Sequence, residues 1–143
     1  LEKNMGMNLQ QTPPGGVQFV DDASSSKGSC VMALSWNVAR GATNTVTVGA
    51  LPANARIIAI FVENTVVHNA ATTATVSVGL TGGSATYFSA AQDLKTAIGN
   101  FSLTATANWA PAVNSQSISA TYTETGAASS TGTATVNVLY CVL

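Results

Sequence analysis

The sequence predicts an all-β protein: an eight-stranded antiparallel β-sandwich of jelly-roll type, with an extended N-terminal arm and one short helix. Three observations predict it. Short stretches in which Val, Ile, Thr and Tyr alternate with small polar residues recur at near-regular spacing. Clusters of Gly, Asn, Pro and Ser separate them, as turns require. One stretch, Ile57 to Val62, is apolar at all six positions and sits between a turn built on Pro52 and Asn54 and the polar stop Glu63-Asn64-Thr65. Such a run predicts a central strand buried on both faces.

Residues 1–29 read as an arm. Gln10 to Gly16 contains Pro13-Pro14-Gly15-Gly16, which continues neither a helix nor a central strand. Val17-Gln18-Phe19-Val20 has the alternation of one short strand, and Asp21 to Gly28 returns to loop composition. Either the arm frays, or it pairs with a neighbouring subunit.

The β-domain is expected over 30–143. Cys30, Met32, Leu34 and Trp36 alternate with smaller residues, which puts the larger side chains on one face. Thr45 to Val48 is a short strand after the Arg40-Gly41-Ala42 turn. Beyond the apolar run, Val76, Val78 and Leu80 alternate up to Thr81-Gly82-Gly83, a hairpin turn, and Ala85 to Phe88 reads as a brief strand. Ser89 and Gln92 form a capping box, Leu94, Ala97 and Ile98 share a helical face, and Gly99 follows at the C-terminal position. About two turns of helix are expected there, too short to stand without docking on the sheet. Phe101 to Ala107 reads as a strand, Ala110-Pro111 as a break, and Ile118, Ala120 and Tyr122 as the inward face of another strand. Gly126 to Gly132 is a loop, and the last strand runs from Thr133 to Val142 with Val136, Val138 and Tyr140 on one side. An immunoglobulin topology is disfavoured because Trp36 follows Cys30 too closely to occupy the next strand.

A chain of 143 residues makes one domain and buries roughly 70% of its unfolded surface. Charged residues are scarce, 8% of the chain against about 25% in an average protein. Net charge is −1 with no basic block, so direct nucleic-acid binding has no electrostatic footing. Low charge with 46% hydrophobic residues gives little repulsion between copies and favours association. No stretch approaches the roughly 18 apolar residues of a membrane span. Cys30 and Cys141 fall on predicted strands and read as buried free thiols, with a disulfide closing a long loop as the other reading.

The chain offers little for catalysis. His68 is the only histidine; a Ser–His–acid set is arithmetically possible around it, but no nucleophile elbow accompanies it, so it reads as a loop or strand-end residue. One His and two separated Cys make no zinc spacing, and Asp21-Asp22 lacks the alternation of a calcium loop. Glu63, Asp93 and Glu124 each stand alone in their segments, as solvated charges do. No enzyme, cofactor or metal is expected. Among the aromatics, Trp36 and Tyr122 fall on inward faces. Trp109, beside Pro111 in a loop, and Tyr87 are left as exposed candidates for a protein contact or a sugar platform.

Leu51-Pro52-Ala53-Asn54-Ala55-Arg56-Ile57-Ile58 resembles an opening found in small structural proteins of tailed bacteriophages. The segments Val76-Ser77-Val78-Gly79-Leu80 with Thr81-Gly82, Phe88-Ser89-Ala90-Ala91-Gln92-Asp93-Leu94, and the closing Thr131 to Val138 strand extend the resemblance over roughly residues 45 to 142. Within that class the chain is similar to head cementing or decoration proteins. The resemblance implies a non-catalytic jelly-roll module on the outer surface of the virion head. It would be assembled in the host cytoplasm and self-associate as a dimer or trimer. It would bind the major capsid protein across capsomer boundaries, with no direct nucleic-acid or membrane partner. Val17, Phe19, Tyr87, Trp109 and Pro111 are its expected contact residues. The alternative is a tail- or fibre-associated β-sandwich that binds host-surface glycan.

Overall fold

Alternation with a period of two governs most of the chain, and the backbone follows it. In the computed structural model, which describes residues 31–143, eight strands form. They are β1 (Met32–Asn37), β2 (Asn44–Leu51), β3 (Ala55–Val66), β4 (Thr73–Leu80), β5 (Gln92–Asp93), β6 (Gly99–Ser102), β7 (Gln116–Thr125) and β8 (Thr133–Val142). The arm at 1–29, with Val17 and Phe19, and also Cys30, lie outside the described residues.

The strands make two four-stranded sheets, ordered β1-β8-β3-β6 and β2-β7-β4-β5, antiparallel throughout. The pairing is nested: β1 with β8, β2 with β7, β3 with β6, β4 with β5. That is the double Greek key of a jelly roll. The two sheets face each other over a core drawn from alternate positions: Ile57, Ile60 and Val62 of β3, Val76 and Val78 of β4, Ile118 and Tyr122 of β7, Val136 and Val138 of β8.

The turn before β3 forms as expected. Asn54 adopts φ 62°, a left-handed conformation that Asn tolerates better than other side chains. Ala55 N–H closes the turn on Pro52 O at 3.2 Å, and Leu143 N–H donates to Asn54 O at 3.1 Å. β3 is central, with β8 on one side and β6 on the other, but it is not buried on both faces. Ile57, Ile60 and Val62 point into the core, whereas Arg56 and Ile58 face outward, Ile58 at 46% exposure. A register irregularity between Ile57 and Ala59 re-phases the strand, which is how six consecutive apolar residues still alternate in and out.

Three further expectations are corrected. The stretch from Ser89 to Gly99 is not a helix, and the one helical turn described is a 3-10 turn at Ala107–Trp109. Ser89 is buried and its hydroxyl accepts Val78 N–H at 3.1 Å, so it caps a strand crossing and not a helix. Leu94 N–H donates to Ala74 O at 2.8 Å, and Gln92–Asp93 pair with β4. Two turns of helix could not compete with the unpaired edge of β4, which satisfies the same backbone groups while burying Leu94. The predicted strand from Ala85 to Phe88 is a series of turns and bends. It crosses so close to β4 that a Cβ on Gly79 would lie 2.2 Å from Ser84 O. The strand predicted from Phe101 to Ala107 is confined to Gly99–Ser102, which pairs with Phe61–Asn64 of β3.

Candidate contact surface

The ends of the sandwich differ. At the end where β3 begins and β8 finishes, the outer side of the first sheet carries an open groove of about 870 Å3. Its floor is Arg56, Ile58 and Cys141, and its wall is the segment Ala105 to Pro111 with Leu143. Exposed apolar side chains cluster at this end: Ile58 at 46%, Val142 at 39% and Leu143 at 58%. Met32, 37% exposed, lies at the same end but on the inward face of the sheet, since it pairs with Tyr140, which pairs with the buried Ile57. Arg56 is the charged side chain of the groove lining.

Two of the five expected contact residues, Trp109 and Pro111, line this groove, and a third, Tyr87, lies in a loop stitched to the Trp109 turn. Trp109 is half-buried, not exposed. Its 3-10 turn is capped by Thr106, whose hydroxyl accepts Asn108 N–H at 3.2 Å, and its indole N–H donates to Phe88 O at 2.7 Å. Asn108 Nδ2 donates to Tyr87 O at 2.8 Å, and the Tyr87 ring meets Phe88 edge-on with centroids 4.9 Å apart. Tyr87 is likewise half-buried. Pro111 is exposed on the groove wall. Arg56, Ile58 and Leu143 were not singled out by sequence reasoning. Arg56, a lone cation opening an apolar run, was the signal available.

The opposite end is polar and tightly bonded. The loop 67–72 after β3 and the loop 126–132 before β8 lie side by side. Asn69 Oδ1 accepts the Ser130 and Thr131 N–H groups at 2.8 and 2.9 Å, and Ala71 N–H donates to Ala127 O at 3.0 Å. Arg40 reaches across from the β1–β2 connection to Ser130 O at 3.1 Å and Gly132 O at 3.2 Å. Glu124 gathers donors: Tyr122 OH at 2.8 Å, Ser129 N–H at 2.9 Å and Gly41 N–H at 3.3 Å. Desolvation raises its carboxyl, but these hydrogen bonds, Ser129's first, outweigh that and hold it below the usual glutamate value. Burial first, and then Glu124, push the Tyr122 phenol up to about 12 against the opposing effect of Ser129.

His68 is 1% exposed at this end, its ring beside Tyr122 with centroids 5.4 Å apart. Neither ring nitrogen has a hydrogen-bond partner among the described residues. Desolvation lowers its pKa below the usual value; Glu124 opposes this and Arg40 adds to it. No group of three or more His, Cys, Asp or Glu side chains converges among the described residues.

No family model and no curated protein matches the chain. Solved structures do match. A chain of the acidic stable capsid structure of Helicobacter pylori bacteriophage KHP30 superposes with a TM-score of 0.63 at 16% identity, over 78% of this chain and 87% of that one. A chain of the cyanophage Pam1 capsid asymmetric unit gives 0.62 at 22% identity, over 88% and 94%. A chain of the capsid of Ralstonia phage GP4 gives 0.54 at 18% identity, over 90% and 93%. At these identities the likeness is one of fold: the jelly roll described here is shared with chains of three phage capsids.

Proposed function

We propose that the protein is a structural component of a phage virion, a cementing or decoration module that binds the outside of the head and braces the shell across capsomer boundaries. The observation that carries this reading is the extent of the fold likeness. From 87% to 94% of each matched capsid chain is covered, so each of those chains is itself a module of about this size. The apolar, nearly uncharged groove supports the reading as a docking surface for a protein. Trp109, Pro111 and Ile58 would supply its apolar contacts and Arg56 a single charged one. The loop 126–132 lies at the other end of β3 and β8, so one module has two separated surfaces with which to bridge two bodies. Residues 1–29, with Val17 and Phe19, would serve as an arm to a neighbouring subunit by β-augmentation. Modest contacts suffice where many copies act on one shell. The major capsid protein and further copies of this chain, as a dimer or trimer, are the proposed partners, and no catalytic step is assigned.

The test is to assemble heads with and without the protein and to follow DNA release on heating. Release at lower temperature without the protein is expected, and identical curves would overturn the reading. The glycan alternative has less support, because the Trp109 indole is half-buried and its N–H is engaged by Phe88 O. Glycan-array binding that disappears in Trp109→Phe and Tyr87→Ala proteins would restore it.

A further inference from the structure

We propose that His68 makes the loop end of the sandwich an acid-operated clasp: protonation of its ring parts loop 67–72 from loop 126–132 while the strands stay paired. The geometry leaves the ring no way to carry a second proton in place. It is 1% exposed, and neither Nδ1 nor Nε2 has a hydrogen-bond partner among the described residues. Gly132 presses on it so closely that a Cβ there would lie 2.4 Å from the ring, and Gly132 φ is +138°, a conformation open to glycine. The backbone also pins the residue, His68 N–H donating to Leu94 O at 3.0 Å.

The ionisable groups around the ring come from three segments. Tyr122 and Glu124 face it from β7 and Arg40 from the β1–β2 connection, while Lys95, in the segment after β5, is tied to the His68 loop by its Nζ donating to Ala70 O at 2.7 Å. Glu124 is the one carboxylate among them, and its oxygens are already taken by Tyr122, Ser129 and Gly41. Arg40 is held against the carbonyls of Ser130 and Gly132 and adds a like charge. An imidazolium here would bring two donors and a charge into a site with no acceptor for them among the described residues, which a protein relieves by admitting water. The opening lies between the two loops, which hydrogen bonds of Asn69, Ala71 and Arg40 hold together.

The direction of the pH effect follows. Burial favours neutral His68 in the closed form, so the closed form loses stability as pH falls below the ordinary histidine value of 6.5, and the loss levels off where the buried ring itself titrates. The opening equilibrium should rise by up to about tenfold per pH unit in that window, the limit for one linked proton. Glu124 stays ionised there, because its pKa is lowered from 4.5.

The chain holds a single histidine, so its ring signal in the NMR spectrum of the full-length protein needs no assignment against others. We expect that signal to titrate below 6.5. On going from pH 7.5 to 5.5, the amides of Asn69, Ala71, Ser130 and Thr131 should lose protection from hydrogen exchange, after correction for intrinsic rate, while those of Val78 and Ala120 keep theirs. His68→Phe, with His68→Leu as the smaller replacement, should remove the loop-specific change. A ring titrating at 6.5 or above, loop protection that is independent of pH, or the same pH response in both variants would each overturn the proposal.

Discussion

Asn54 is the residue on which the entry to β3 depends, because at φ 62° it is the described non-glycine residue with positive φ. Asn54→Gly should leave stability nearly unchanged. Asn54→Val should cost roughly 1–2 kcal/mol, the left-handed penalty of a residue with a Cβ, measured as a lower denaturant midpoint at constant slope. Glu124 makes a second residue-level prediction. Its pKa is held down in the folded state, so the stability it confers is present above its ordinary value of 4.5 and is lost as pH falls through the lower folded value. Glu124→Gln should therefore unfold more easily at pH 7, and its stability should change less on acidification below about pH 4.5. Thermal melts of both proteins across that range check it. Asn54 could be anticipated from the Pro-Ala-Asn turn chemistry. Glu124 could not, because its donor Gly41 lies 83 residues away in the β1–β2 connection, and Ser129, five residues on, turns back to it only through the folded shape of the loop.

Strands were legible where alternation was clean. Thr133–Val142 forms β8 with the expected boundaries, and Val136 and Val138 face inward as their spacing requires. The apolar run of β3 misled about its faces, because a run without polar residues carries no phase, and the irregularity at Ile57/Ala59 depends on pairing with β8. The Ser89 capping box misled for a similar reason: its local signal was outweighed by the free edge of β4, a partner outside the segment itself. The two faces of β3 separate stability from contact. Ile60 is 1% exposed and Ile58 46%. Ile60→Ala should cost about 2–5 kcal/mol, and Ile58→Ala well under half of that. If the groove is the docking surface, Ile58→Ala should nevertheless weaken attachment to heads in a sedimentation assay, and Ile60→Val should not.

Over the whole molecule, β3 and β8 run its full length, so the groove and the clasp are separated by roughly 35 Å at 3.3 Å per residue. The jelly roll could be anticipated because strand count and turn spacing leave few other arrangements for a chain of this length. The groove could not, since it joins Arg56, Trp109 and Leu143, which only the folded chain brings together. Every strand except β5 has its main partner far away in sequence: β1 pairs with β8, and β2 with β7. Such topologies fold on the millisecond to second timescale, and stopped-flow refolding should give rates in that range, well below those of helical proteins of equal size.

The nested pairing also bears on how the protein is made. β8 lies between β1 and β3 and supplies hydrogen bonds to both. Until the ribosome has released residues 133–142, β1 has no partner in its sheet and β3 has only the short β6, however long both have been outside the exit tunnel. The nascent chain therefore waits with the β8 edge of β3 unpaired. Completion of the first sheet is set off by the arrival of β8.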